Sequence, residues 1–293
     1  MQTIDGYLHE LRAALKGSDA ATVQDALSDA EEHLRSAVAE LRAKRPEMTE
    51  AGAVEEAIAH YGAPLETAAA YAEIERRTPP GMARKRGGDS ALRRFFGVYD
   101  DPSTWGTLLY MLISLLTGTF FFTWVVTGFS ISLSLSLFIF GLPLAILFLL
   151  SVRGLALLEG RLVEALLGER MPRRPLFSDR GMKWLERLKS LLLDRHTWLA
   201  MLYMLIQMFL GIVYFTLVVT FFSLSIGFMM LPFLQSILYQ GVITWGERQY
   251  YLPLWAFPVV VLAGFLLWTC FLHLGRGIGR LHRRYAKAML VTE

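Results

Sequence analysis

With 293 residues, 54% of them hydrophobic, one cysteine and a formal net charge of +3, the chain cannot hold an intrachain disulfide framework or a paired-cysteine metal or redox motif. The averages conceal two unlike parts: residues 1–75 carry 6 Lys/Arg against 15 Asp/Glu, a net of −9, whereas residues 76–293 carry 23 against 11. Uncharged apolar stretches at 102–152, 199–246 and 249–275 exceed the length of about 18 residues that marks a membrane-spanning helix, which excludes a chain soluble throughout.

Taken from the N-terminus, Met1 to Lys16 is amphipathic and mixed in charge, without the basic start or apolar core of a secretory signal, so this part is expected in the cytoplasm. Periodicity predicts four short amphipathic helices there. The first, about 4–15, puts Tyr7, Leu8, Leu11, Ala14 and Leu15 on one face. The second, about 20–44, does so with Val23, Ala26, Leu27, Ala30, Leu34, Val38 and Leu41, and shorter helices follow at about 50–60 and 64–76. Tyr61-Gly62-Ala63-Pro64 separates the last two as a glycine stop and a proline restart. A module this small is expected to need a partner surface or a second copy to complete its core. Residues 78–90 read as a basic flexible linker suited to anionic headgroups.

Beyond the linker the sequence repeats itself. Residues 101–132 and 194–225 align without a gap at a constant offset of 93, with 17 identities in 32 positions. The matches include Asp101 with Asp194, Thr104-Trp105 with Thr197-Trp198, Tyr110 with Tyr203, and Gly118 with Gly211, which apolar composition alone does not produce. Further on, Arg153-Gly154 through Glu159 corresponds to Arg276-Gly277 through His282 at an offset of 123. The second repeat is therefore 30 residues longer (123 against 93), mostly around 226–252.

Hydropathy places four spans at roughly 105–127, 131–152, 198–221 and 253–275. Basic clusters lie before the first span, between the second and third, and after the fourth, so the positive-inside rule puts all three, and both termini, in the cytoplasm. Each repeat then contributes two spans in the same orientation, a parallel duplication. Trp105 and Trp198 are expected interfacial anchors, and Asp101 and Asp194 helix caps. Gly128 to Ser132 and Phe221 to Ser225 are expected as extracytoplasmic turns, and 226–243 as a re-entrant or interfacial helix. Above it, Tyr239, Trp245, Glu247, Arg248, Tyr250, Tyr251 and Trp255 are candidate ligand-facing residues, against the competing reading of an aromatic belt with solvated charges. Arg153, Arg161, Arg276, Arg280, Arg283 and Arg284 are candidates for coupling the spans to the cytoplasmic domain or for holding lipid headgroups. The expected fold is all-α: an integral membrane four-helix bundle of two parallel two-span repeats plus a small cytoplasmic helical domain. Its parts are the helical domain at 1–77, a basic juxtamembrane linker at 78–100, repeat 1 at 101–170, an amphipathic connector at 171–193, and repeat 2 at 194–293 with its insert at 226–252.

Residues 4–75, with Tyr7-Leu8, Leu11, Asp29-Ala30-Glu31-Glu32-His33-Leu34, Tyr61-Gly62-Ala63-Pro64 and Ala68, resemble the HAAS domain, a helical module of bacterial signalling proteins. Each membrane repeat, with its Thr-Trp opening, Leu-Tyr and Gly-to-Phe pattern and Arg-Gly followed by a basic helix, resembles a sensor domain found ahead of certain bacterial histidine kinases. The resemblance implies signal reception in the bacterial cytoplasmic membrane. Because the sequence carries no kinase domain, output would pass through a separate partner: a PadR-like transcription regulator, a sigma factor or a kinase.

Catalytic constellations are missing from the sequence. Leu8-His9-Glu10-Leu11-Arg12 looks like a phosphoacceptor box, but no glycine-rich nucleotide box follows, and His9 is better read as a solvated residue. His33, His60, His196, His273 and His282 show no metal spacing, and Gly275 to Gly279 follows a span rather than a strand, so its glycines are expected to permit helix packing. Gln207 and His273 are the polar exceptions within the spans, and charged residues at mid-depth are lacking, which disfavours transport. The reading is a non-enzymatic, cofactor-free membrane sensor or regulator with lipid contacts, no direct nucleic-acid contact, and homodimerisation left open. The alternative is an accessory or structural subunit of a membrane complex such as an ABC-type exporter.

Overall fold

The structure, a computed structural model, describes residues 3–77, 95–135, 141–173, 189, 191–238, 241, 243–245 and 248–291. They form helices α1 (Ile4–Ala14), α2 (Ala20–Lys44), α3 (Glu50–Tyr61), α4 (Pro64–Arg77), α5 (Pro102–Leu135), α6 (Gly141–Leu167), α7 (Arg195–Leu238) and α8 (Phe257–Leu290). A short antiparallel hairpin, β1 (Ile243–Trp245) and β2 (Arg248–Tyr250), lies between α7 and α8, and a 3-10 turn at Leu254–Ala256 leads into α8. Two compact units result. One comprises Met1–Ala83, Phe121–Leu205 and Arg283–Glu293, the other Arg84–Phe120 and Ile206–His282, so α5, α7 and α8 each contribute to both.

The N-terminal helices begin where side chains can receive orphan backbone donors. Thr3 accepts from Gly6 N–H, Asp19 from Ala21 N–H and Thr49 from Gly52 N–H. Gly62 ends α3 at φ 106°, in the left-handed region that favours glycine, as the sequence predicted for this stop. The four helices close a core from their own residues, including Tyr7, Leu11, Leu34, Val54, Ile58 and Ala68. The second copy or partner surface expected for this purpose is therefore not what fills it. Tyr7 crosses that core and donates its hydroxyl to the Gly62 carbonyl at 3.0 Å, which ties α1 to the α3–α4 corner.

Among the described residues, four helices are long and apolar enough to cross a membrane, as expected: α5, α6, α7 and the segment Leu254–Leu290 that contains α8. Their outer faces expose Leu116, Leu147, Phe209, Phe233 and Val259. In water this would be a large aggregation-prone patch; against lipid it is the ordinary surface. Threonine and serine stay inside these helices by returning their hydroxyls to carbonyls one turn back, as in Thr107 to Ser103 (2.7 Å) and Thr119 to Leu115 (2.7 Å).

Two expected turns are helix instead. Gly128 to Ser132 lies within α5 and Phe221 to Ser225 within α7. In an apolar surrounding the backbone must satisfy its own donors and acceptors, and Gly/Ser signals that would open a turn in water continue the helix. Gly128 has a packing reason as well: a Cβ there would collide with the Phe148 ring of α6. Residues 226–238 follow suit. They extend α7 without a break, through Pro232, so a separate re-entrant or interfacial helix is not formed. At 44 residues α7 is about 66 Å long, roughly twice the hydrocarbon thickness of a bilayer. Gln235 ties its far end to the segment before α8, donating to the Leu252 carbonyl and accepting from Leu252 N–H, both at 2.9 Å.

Residues 95–100, which the sequence assigned to the linker, pack on α8. Val98 is fully buried, Tyr99 stacks on Phe265 and shares a 2.8 Å hydrogen bond with Thr269, and His273 donates Nε2–H to the Phe95 carbonyl at 2.9 Å. The linker positions 78–94 and the connector positions 174–188 lie outside the described residues.

Candidate functional site

The sequence duplication becomes a set of contacts made twice with partners exchanged. In one compact unit Asp101 opens α5, where its Oδ1 accepts from Ser103 N–H at 3.1 Å. Arg276, from the end of repeat 2, reaches Asp101 Oδ2 at 2.9 Å, Thr104 Oγ1 at 2.8 Å and the Gly97 carbonyl at 3.0 Å. In the other unit Asp194 opens α7 and accepts from His196 and Thr197 N–H, both at 3.2 Å. Arg153, from the end of repeat 1, reaches Asp194 Oδ2 at 2.6 Å and Thr197 Oγ1 at 3.1 Å. Each repeat thus supplies the arginine that fastens the start of the other. Burial pushes the Asp194 carboxyl up, but the Thr197 hydroxyl, the Arg153 charge and His196 N–H outweigh it and hold the group below its ordinary range.

The pattern continues one turn further. Trp105 donates its indole N–H to the Tyr99 carbonyl (2.9 Å) and Trp198 to the Leu192 carbonyl (2.7 Å), the same six-residue reach at the 93-residue offset. Tyr203 donates to Glu159 at 3.0 Å, whereas its counterpart Tyr110 meets His282 Nε2 at 2.6 Å. Glu159 and His282 are themselves counterparts at the 123-residue offset. Gly118 and Gly211 let α5 and α7 touch at the backbone: a Cβ on Gly118 would come within 2.6 Å of the Gln207 carbonyl oxygen, and one on Gly211 would collide with that of Ser114.

Burial separates Glu159 (0% exposed) and His282 (1%) from ordinary charged helix ends. His282 lies between two phenols, with Tyr214 3.1 Å from Nδ1, and Gln207 donates to Tyr110 at 2.9 Å. When Tyr110 gives its single hydrogen to Nε2, Nδ1 carries the imidazole proton, and the chain Gln207, Tyr110, His282, Tyr214 runs in one direction. Buried polar groups paired in this way fix one arrangement of helices. The sequence reading ended its spans at the first arginine and so left both residues outside them. The aligned offset was the signal that could have found them.

The N-terminal domain is held to the charged ends of α6 and α8 within one compact unit. Lys287 reaches Asp19 Oδ2 at 2.5 Å and Glu169 Oε1 at 2.8 Å. Arg170 donates to Thr22 Oγ1 and to the Glu75 carbonyl, both at 3.2 Å, and the backbone N–H of Arg173 points between the Asp25 carboxylate oxygens at 2.8 and 3.0 Å. The Arg173 guanidinium turns back to Glu164 at 2.7 Å. None of Asp19, Thr22, Asp25, Glu169, Arg170 or Lys287 was singled out from the sequence. The only signal was the opposite charge of the two parts of the chain.

The residues that the sequence did single out are scattered by comparison. Arg153 and Arg276 sit in ion pairs with 14% of each side chain exposed, rather than free at a headgroup surface. Arg283 is 3.7 Å from Glu169 and Arg161 3.6 Å from Glu164, while Arg280 and Arg284 are exposed. Trp105 and Trp198 are about half exposed at the starts of their helices. On the far loop, Trp245 pairs with Arg248 in the hairpin register, Tyr250 and Tyr251 are exposed, and Trp255 is 75% exposed. Tyr251 donates to Gln249 Oε1 at 2.9 Å. Tyr239 and Glu247 lie outside the described residues. Arg248, Tyr250, Tyr251 and Trp255 are thus placed on the surface of the second strand and the turn after it. Of the Gly275–Gly279 run, Gly279 is the close-packing position, 2.7 Å from Thr107 Oγ1 were it to carry a Cβ, and Gly277 faces open space.

Residues 110–290 match the family model described as "Putative sensor", and residues 6–70 match the HAAS family model. The first match covers the second repeat to residue 290 and the first from residue 110 onward, so one family unit takes in most of both copies. No curated protein and no solved structure matches the chain.

Proposed function

Because the chain belongs to the family described as "Putative sensor", with a HAAS domain ahead of it, we propose that it is a non-enzymatic membrane sensor whose state is read by a separate cytoplasmic regulator. The observation that carries this reading is the polar attachment of the HAAS domain to the ends of α6 and α8 through Asp19, Thr22 and Asp25. A tilt or rotation of either helix moves Lys287 or Arg170, and the α2 first turn must follow or let go. The basic clusters that border the spans favour a bacterial cytoplasmic membrane with both termini inside, which would leave the HAAS domain facing the cytoplasm.

The test is to cross-link the full chain in its native membranes and identify what co-purifies. A transcription regulator, a sigma factor or a kinase supports the reading. A transporter ATPase recovered instead would replace it with an accessory role in an export complex, and recovery of neither would remove its output step.

A further inference from the structure

Helix α2 is buried along two different stripes. One is apolar, with Ala26, Ala30 and Leu34 in the HAAS core. The other, Ala21, Thr22, Gln24 and Ser28, is made of small and polar residues and is also buried. Ionic and polar contacts reach the start of this second stripe: Lys287 on Asp19, Arg170 on Thr22, Arg173 N–H on Asp25. Interfaces of this composition inside a chain behave like transient protein–protein interfaces, whereas permanent ones are hydrophobic. Asp19 is exposed to the same logic from within its helix, since Oδ1 caps Ala21 N–H while Oδ2 takes Lys287. The cap survives undocking, so α2 need not unfold when the contact opens.

From this we propose that the Asp19–Thr22–Asp25 face of α2 is the docking surface for the cytoplasmic partner, and that the sensor part of the chain occupies it in the state described here. The partner is a protein presenting lysine and arginine, because a lysine, an arginine and a backbone N–H are what the face accepts now. Docking and partner binding exclude each other. The proposal rests on the sensor reading above, but it is tested without any native partner.

The full chain in lipid nanodiscs is compared with Lys287→Glu and with Lys287→Arg, following amide exchange over residues 19–28 and the binding of a synthetic decalysine peptide. Lys287→Glu is expected to speed exchange over 19–28 at least tenfold, to leave residues 30–41 as protected as before, and to bind decalysine at least tenfold more tightly. Adding Asp19→Ala and Asp25→Ala to that variant abolishes the gain. Lys287→Arg keeps the protection over 19–28, which together with the unchanged exchange of residues 30–41 distinguishes loss of the contact from loss of the fold. Equal decalysine affinity in Lys287→Glu and the unaltered chain overturns the proposal, and so does a gain that survives Asp19→Ala and Asp25→Ala. Neither result bears on which protein co-purifies from native membranes.

Discussion

The two arginine clamps are chemically alike, but they differ in how far their carboxylates are removed from water. Asp101 has 4% of its side chain exposed and Asp194 has 27%. Removing the cation from a buried pair leaves an uncompensated charge, which costs about 3–5 kcal/mol, whereas a charged hydrogen bond that water can partly replace is worth about 1.5–3 kcal/mol. Arg276→Ala is therefore expected to lower the thermal stability of the detergent-solubilised protein more than Arg153→Ala, and equal losses would refute the ranking. Asp194 also sets a pH dependence. Its folded-state carboxyl lies below the ordinary 3.8, so its contribution is complete above that value and disappears as pH falls through the lower folded value. Acid titration of stability should show this loss in the unaltered chain and a weaker one in Arg153→Ala.

At the level of helices, two glycines inside apolar helices have opposite expectations. A side chain at Gly118 meets the α7 backbone, and overpacking of this kind costs about 1–3 kcal/mol or drives the helices apart. At Gly227, inside α7 itself, a Cβ would meet nothing within 4 Å, and alanine there is expected to add about 0.5–1 kcal/mol through helix propensity. Thermal unfolding of Gly118→Ala and Gly227→Ala separates the two; a shift in the same direction for both would contradict the packing described. Much of this level was legible in the sequence. The four N-terminal helices fall within a residue or two of their predicted limits, because caps and the 3.6-residue period carry the information locally. The spans were found but cut short. Hydropathy stops at Arg153 and Arg276, although α6 and α8 continue as amphipathic helices whose inner faces hold Glu159 and His282. The turns at 128–132 and 221–225 were misread because Gly and Ser signal a turn only where water can take over the backbone hydrogen bonds. The attachment of α2 had no local signature at all: its partners lie 148 to 268 residues away along the chain.

For the whole molecule, the exchanged contacts decide the order in which the protein can be completed. Arg153 and Asp194 are 41 residues apart and can close soon after α7 emerges, but Thr104 waits for Arg276 across 172 residues. At about 5–20 residues per second of synthesis, the second interval is roughly 9–34 s against roughly 2–8 s for the first. Throughout that interval the Asp101 carboxylate, destined for burial, lacks its Arg276 partner. A nascent chain halted before residue 276 should therefore expose Asp101 and Thr104 to protease or to membrane quality control, while Arg153 and Asp194 are already joined. The duplication that made the two halves alike also made the first-born half dependent on the last-born residues of the other.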